Sequence, residues 1–144
     1  MRASTYRSSP DELRSRLYGL IRELNDEASR GAVVLVEGPR DEAALRAAGY
    51  SGPLIKVKAL GGRARSLGET LSSEYRKAVL LVDFDREGFK LAVHIRRQLS
   101  FYGVEVDARF RESFFEAFSG EVREVESLRR FTEEGSEGAG FQWI

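Results

Sequence analysis

Short apolar runs alternate with helical patterns along most of the chain, and this alternation constrains the fold. Four β-prone runs lie at residues 32–36, 54–58, 78–82 and 104–108. Between these runs, apolar residues recur every three or four positions. Strands alternating with helices predict a parallel sheet covered on both faces. We therefore expect an α/β, Rossmann-like fold with a central, mainly parallel four-stranded sheet flanked by helices. A length of 144 residues suits one such core.

The order of these patterns divides the chain into four parts. Residues 1–30 read as a loose arm followed by an added N-terminal helix, with Ser9 as its N-cap. The alternating core occupies residues 31–109, and a C-terminal helical segment follows over 110–131. Residues 132–144, rich in glutamate and glycine, predict a flexible tail. The functional residues are therefore expected in the second part.

The C-terminal segment begins with an aromatic cluster at helical spacing: Phe110, Phe114, Phe115 and Phe118. Aromatic residues at this spacing usually pack into a core. The alternative is a platform on which nucleic-acid bases stack. We favour core packing, and His94, in an earlier helical pattern, is likewise interpreted as a structural or surface residue.

Composition excludes several function classes. The chain has no cysteine, which excludes disulfides, thiolate zinc sites and cysteine nucleophiles. No apolar stretch approaches the roughly 20 residues that span a bilayer, so we expect no membrane association. The N-terminus lacks the apolar core of a secretory signal, and a cytoplasmic location is the default expectation.

The charge distribution limits how the chain can bind nucleic acid. The 23 basic and 23 acidic residues balance, although residues 31–110 hold 13 basic and 10 acidic residues and residues 111–144 hold 4 and 8. Binding to RNA or DNA would therefore be local rather than a general polycation effect. A partner protein, a ribonucleoprotein or a second copy in a homodimer would supply further positive surface.

Acidic residues follow two of the predicted strands. Glu37-Gly38 follows the first, and Asp83, Asp85 and Glu87 follow the third. Because parallel strands end at one edge, neighbouring strands would bring Glu37 opposite the other acids. Oxygen ligands at such an edge favour Mg²⁺, with Mn²⁺ as the alternative.

Helix capping is the competing explanation for these acids. Taken singly, Asp41 is best explained as a helix N-cap, and Asp85 or Glu87 could serve only to start the next helix. Acids at two strand ends together are harder to explain by capping.

The two acidic segments resemble the motifs of Toprim domains. Glu37-Gly38-Pro39-Arg40-Asp41 resembles the first motif, and Asp83-Phe84-Asp85-Arg86-Glu87-Gly88 resembles the second. The resemblance covers about residues 31–109, including the Gly61-Gly62 turn. The small architecture is most similar to the endonuclease type that matures 5S ribosomal RNA and to its short archaeal relatives.

The resemblance implies Mg²⁺-dependent phosphodiester chemistry on nucleic acid. It makes Glu37 the general acid/base, and it makes Asp83 and Asp85 the metal ligands, with Glu87 joining or orienting the metal site. A nuclease suits the chain length best, because a topoisomerase needs a DNA gate and a primase needs template-binding modules. The alternative is a non-catalytic Toprim module that binds nucleic acid or acts as a scaffold for a partner protein.

Five basic residues are predicted near the same rim: Arg40, Lys58, Arg63, Arg65 and Arg86. They are candidates for holding phosphates, and ordinary solvated surface charge is the alternative. A haloacid-dehalogenase-like phosphatase also carries Asp-x-Asp after a strand. That class adds a later lysine and a paired acidic motif, neither of which is evident after residue 110, and it leaves Glu37 unexplained.

Overall fold

A four-stranded parallel sheet lies at the centre of the computed structural model, which describes residues 9–60, 64–83 and 85–117. The spatial order of the strands is β2-β1-β3-β4. All three pairings are parallel. The strands are β1 (Ala32–Val36), β2 (Leu54–Lys56), β3 (Lys77–Leu80) and β4 (Glu105–Asp107). The predicted α/β class and the parallel four-stranded sheet are confirmed.

Helices cover both faces of the sheet. The helices are α1 (Pro10–Ser29), α2 (Pro39–Ala47), α3 (Ala64–Glu74), α4 (Arg86–Phe101) and α5 (Arg109–Ala117). Buried side chains of α1, α2 and α5 form one core with β1 and β3. Those of α3 and α4 form a second core on the opposite face. The two central strands are buried throughout, which explains why they are apolar apart from Lys77 at the start of β3.

Helix α1 starts and ends where its sequence predicts. The Ser9 hydroxyl accepts a hydrogen bond from the Glu12 N–H at 3.1 Å, and the Glu12 carboxylate accepts one from the Ser9 N–H at 2.8 Å. This reciprocal capping box satisfies amide donors at the helix start. At the other end, Gly31 takes a φ of 101°, which turns the chain into β1.

The second strand is shorter than the sequence predicts. It ends at Lys56, and residues Val57–Leu60 form a 3₁₀ helix instead of completing a strand to Lys58. β1 itself ends at Val36, so past Lys56 there is no further strand for β2 to pair with, although the Lys58 N–H still donates to the Glu37 carbonyl at 3.0 Å. The N-cap of α2 is Gly38, and Asp41 lies at the third helical position, where its carboxylate accepts a hydrogen bond from the Gly38 N–H at 2.9 Å. The expectation that Asp41 is the N-cap is therefore wrong.

A buried ion-pair network joins α1 to β3 and β4. The Lys77 ammonium lies 2.8 Å from a Glu27 oxygen and 3.4 Å from an Asp107 oxygen. The hydrogen bond to Glu27 is the main cause of a raised pKa for Lys77, and the same bond lowers the pKa of Glu27. The hydrogen bond from Arg109 is the main cause of a lowered pKa for Asp107. This network fixes the start of β3 against α1.

Phe110 is buried in the core formed by α1, α2 and α5, so core packing is confirmed for that residue. Phe118, the rest of the predicted C-terminal helical segment up to residue 131 and the tail 132–144 lie outside the described residues, as do the side chains of Phe114 and Phe115. No helix in the described part of the chain has both the length and the apolarity needed to cross a bilayer.

Candidate active site

The strand order creates a crevice between β1 and β3 at the carboxyl edge of the sheet. The chain leaves β1 through α2 to reach β2 on one side, and then returns through α3 to β3 on the other side of β1. In open parallel sheets, ligands bind where the connections diverge in this way. Glu37 follows β1 and Asp83 lies three residues beyond β3, so the fold brings the two predicted segments to this crevice.

Glu37 is held between both sides of the crevice. Its Oε2 accepts a hydrogen bond from the Asp83 N–H at 3.3 Å, and its Oε1 lies 3.4 Å from the Lys58 ammonium. The Glu37 side chain is only 14% exposed, whereas that of Lys58 is 72% exposed. The Lys58 N–H also donates to the Glu37 carbonyl at 3.0 Å. Lys58 therefore lies at this rim.

The acids after β3 occupy different environments. Asp83 and Asp85 are half-buried, whereas Glu87 is exposed. Asp85 is the N-cap of α4, and its Oδ1 accepts a hydrogen bond from the Gly88 N–H at 2.8 Å. Glu87 makes no hydrogen bond or ion pair with any residue that the structure describes. The capping explanation thus applies to Asp85, while Asp83 does not cap the helix.

Arg111 is part of the site, although it belongs to neither acidic segment. From α5, its guanidinium donates to the Asp83 carbonyl at 3.0 and 2.7 Å and to the Asp85 carbonyl at 3.2 Å. Burial lowers the pKa of Arg111, and attraction to Asp85, Asp83 and Glu37 opposes that shift. One guanidinium therefore lies within electrostatic reach of all three acids. Its position beside the buried Phe110, after the last strand, is the only sequence signal.

Of the other predicted phosphate-binding residues, the structure describes the side chains of two and not those of the other two. Arg40 lies in the first turn of α2 and Arg86 is the first residue of α4, and both are exposed. Both helices start at the carboxyl edge, which is where these two residues were predicted. Arg63 and the Gly61-Gly62 turn lie outside the described residues. Arg65 belongs to α3, and its side chain falls outside the described part of the chain.

The start of α4 packs directly against the Asp83 main chain at Gly88. A Cβ atom built on Gly88 would overlap the Asp83 carbonyl group, whereas one built on Gly38 would meet nothing within 4 Å. Gly88 is thus required for the close approach of helix and loop. Gly38 has an extended φ of −153° and open space, so packing within the chain does not require a glycine there.

We expect Gly88→Ala to destabilise the protein by about 3 kcal/mol, since overpacking against rigid main chain costs roughly 1–3 kcal/mol or more. The gain in helix propensity, about 1 kcal/mol, is too small to compensate. Chemical denaturation monitored by circular dichroism measures the loss. Gly38→Ala is the matched control and should cost at most about 1 kcal/mol, because Ala is a poorer N-cap. Equal stability of the two variants would contradict the packing at Gly88.

The donor set of the crevice fits Mg²⁺ rather than a soft metal, because it consists of carboxylate and carbonyl oxygens. Among residues 9–60, 64–83 and 85–117, no three acidic or histidine side chains form a ready-made metal site. Mg²⁺ is commonly held by one or two carboxylates together with water and substrate phosphates. Asp83 and Asp85 are the residues that would supply those carboxylates.

The fold and the crevice define a parallel α/β protein with a carboxylate site at its topological switch point. Similar proteins are a UPF0292 protein of Methanocaldococcus jannaschii, 31% identical over 82% of this chain and 91% of the relative, and one of Archaeoglobus fulgidus, 30% identical over 78% and 86%. A UPF0292 protein of Pyrococcus abyssi is 34% identical over 66% of this chain and 70% of the relative. The chain belongs to the UPF0292 family.

A solved structure of a protein from Aquifex aeolicus has the same fold. It superposes with a TM-score of 0.65 and 29% identity, covering 76% of this chain and 94% of that chain. No family model matches the sequence.

The assignment to the Toprim family is therefore wrong. The relatives are UPF0292 proteins, and no family model supports a Toprim domain. The physical reason is that the two motifs are short. Acids and glycines after strands also arise from helix capping and close packing, as Asp85 and Gly88 show here. Glu37 and Asp83, which the two motifs contain, meet at the crevice, but the motifs do not identify the family.

Proposed function

We propose that this protein carries out Mg²⁺-dependent phosphodiester chemistry on nucleic acid, as an endonuclease that cleaves or processes RNA or DNA. The observation that carries the proposal is the contact between Glu37 and the Asp83 main chain across the switch-point crevice. Phosphoryl transfer depends mainly on positioning and on neutralising charge. A half-buried carboxylate beside an acidic loop, with cations on the rim, provides those elements.

Within this proposal, each residue has a distinct task. Glu37 holds or moves the proton of the attacking or leaving oxygen, because its side chain is only 14% exposed and its position is set by two contacts. Asp83 and Asp85 hold Mg²⁺, which neutralises phosphate charge when bound. Lys58, 3.4 Å from Glu37 and largely exposed, can turn its ammonium toward a phosphate.

The rim cations complete this arrangement. Arg40 and Arg86 start the two helices that flank the crevice, so each presents a guanidinium on the side from which a phosphate would enter. Arg111 is a positioning residue, because its hydrogen bonds go to the main chain of the acidic loop. Glu87 and the cations at positions 63 and 65 remain predictions.

A second candidate is a non-catalytic module that binds nucleic acid or acts as a scaffold for a partner protein. Two observations favour it. Both Glu37 oxygens already have partners, and no three-residue metal group is present among the described residues. Under either candidate we propose a cytoplasmic location. Since the net charge is zero, we also propose that the protein works with a partner protein, a ribonucleoprotein or a second copy of the chain.

A cleavage assay separates the two candidates. Labelled structured RNA, single-stranded DNA and duplex DNA are incubated with purified protein in Mg²⁺, Mn²⁺ or EDTA. We expect cleavage that requires metal and that falls at least about 100-fold in Asp83→Asn, because charge neutralisation at the phosphate is lost. Asp26→Asn makes the same chemical change at an exposed position on α1 and should retain wild-type activity. Metal-dependent binding without cleavage of any substrate would overturn the nuclease and favour the binding module.

A further inference from the structure

The outward face of α4 combines positive charge with exposed aromatic rings. We propose that this face binds a single strand of nucleic acid and leads it to the acidic crevice, an inference that rests on the proposed function and specifies its substrate. The α4 outer face comprises Arg86, Phe89, Lys90, Arg96, Arg97 and Phe101. All six side chains are exposed.

Helical geometry gathers these residues on one side. At about 100° per residue, Lys90 and Arg97 lie within about 40° of Arg86 around the helix axis. By the same rotation, Phe89 and Phe101 lie about 60° to either side. The opposite side packs into the core through Gly88, Ala92, Ile95 and Leu99. The outer face therefore points to solvent over the whole length of the helix.

The charge on this face is unbalanced. Helix α4 carries four cationic residues and a single acid, Glu87. None of the four forms an ion pair with a residue that the structure describes. Elsewhere, Arg14 pairs with Asp11 and Arg46 with Glu42 on their own helices. Arg96 lines a cavity together with Glu105, Asp107 and Glu112, so the positive potential suited to a phosphate backbone comes from Arg86, Lys90 and Arg97.

Two aromatic rings lie on the same face. Phe89 is 60% exposed and Phe101 is 83% exposed, and they are the large hydrophobic residues that the described chain leaves exposed. Rings beside cations on a surface offer stacking to unpaired bases, with little dependence on sequence. Bases in a duplex are already stacked on one another, so these rings favour a single strand. An acidic protein partner would use the charges but would have no requirement for a flat ring at Phe89.

The α4 outer face is continuous with the crevice. Arg86 follows the N-cap Asp85, and the Phe89 N–H donates to the Asp85 carbonyl at 2.9 Å. Gly88 fixes this first turn against Asp83. A base stacked on Phe89 therefore lies one helical turn from the acids. The phosphate next to that base would lie on the Asp85 side of Phe89, while the strand continues past Lys90.

Binding is measured by fluorescence anisotropy with labelled oligo-dT and oligo-U of about 20 nucleotides, in EDTA, a length that exceeds a typical single-strand site. Without metal, the result does not depend on whether cleavage occurs. We expect the double variant Lys90→Gln/Arg97→Gln to weaken binding about 25-fold at about 0.1 M salt and to reduce the salt slope by about 1.4. The control Arg16→Gln/Arg22→Gln removes two exposed charges from α1 and should change affinity less than about twofold.

Phe89→Ala should weaken binding about tenfold with an unchanged salt slope, because stacking involves no counterion release. Phe89→Trp in a Trp143→Phe background gives a direct signal, because Trp143 is the only tryptophan. The fluorescence of this double variant should be quenched by the oligonucleotides. Three results would each overturn the proposal. The first is an equal effect of the α1 and α4 charge variants on affinity, and the second is an indole fluorescence that the oligonucleotides leave unquenched. The third is stronger binding of duplex than of single strands. Cleavage failing while binding behaves as expected would overturn only the nuclease.

Discussion

Glu37→Gln should lower the rate of metal-dependent cleavage about 100- to 10,000-fold, the range typical of losing a general acid or base. Glutamine keeps an oxygen that can accept the Asp83 N–H, so the two sides of the crevice stay joined. We therefore expect the loss in kcat rather than in KM. Single-turnover kinetics with saturating protein measure the chemical step, and anisotropy in EDTA measures binding separately.

Two comparisons make this result specific to Glu37. Lys58→Gln removes the exposed ion-pair partner of Glu37 and should lower the rate much less, by about tenfold, because a largely exposed pair contributes little. Glu69→Gln, an exposed position on α3, should have no effect. A Glu37→Gln protein that cleaves within a few-fold of the wild-type rate would exclude Glu37 as the acid/base.

Lys77→Ala should lower the free energy of unfolding by about 3 kcal/mol, because removing one member of a buried ion pair costs about 3–5 kcal/mol. The Lys77 side chain is only 9% exposed, and its loss leaves the Glu27 and Asp107 carboxylates without their shared cation. We expect the lower end of that range, because Asp107 keeps its bond to Arg109. Urea denaturation measures the change, and Lys90→Ala, at an exposed lysine, should stay within about 0.5 kcal/mol.

The pH dependence of this difference follows from the pKa shifts. The lowered pKa of Glu27, caused first by its hydrogen bond to Lys77, contributes stability above the ordinary value of 4.5, and that contribution is lost as pH falls through the lowered value. The pKa of Asp107 is lowered first by Arg109, which the Lys77→Ala variant retains, so Asp107 adds little to the difference. The raised pKa of Lys77 contributes below its ordinary value of 10.5 and is lost as pH rises through the raised value.

Wild type and Lys77→Ala should therefore differ most between about pH 5 and pH 10 and converge in acid and in strong base. Denaturation repeated across this range tests the network. A difference that stays constant with pH would mean that packing of the lysine stem, rather than its charge, stabilises β3.

Much of the site could be predicted because parallel strands end at a common edge. The sequence predicts that Val36 and Val82 end buried strands. It therefore also predicts that Glu37 and Asp83 lie near the same rim. That they face each other depends on the strand order, which places β1 beside β3. Strand order depends on how helices pack on both faces, and local sequence patterns do not encode it.

Other features depend on tertiary contacts that no local pattern reports. Arg111 reaches the site from a helix that follows the last strand, and its role depends on how α5 packs beside α1. Lys77 is a charged residue in a strand, and its partners, Glu27 and Asp107, are distant in the sequence. The shortened β2 reflects the end of its partner strand, β1, at Val36. The family assignment failed because motifs of a few residues carry little evolutionary information.

The hydrogen bonds from Arg111 to the acidic loop have a consequence for the substitutions that the loop can accept. Arg111 holds the carbonyl groups of Asp83 and Asp85, which every amino acid possesses, rather than their carboxylates. These contacts therefore do not depend on the identity of the Asp83 side chain. A substitution at Asp83 would leave the acceptor atoms for Arg111 in the chain. At this edge of the sheet, main-chain groups hold the loop, and side-chain groups supply the carboxylates.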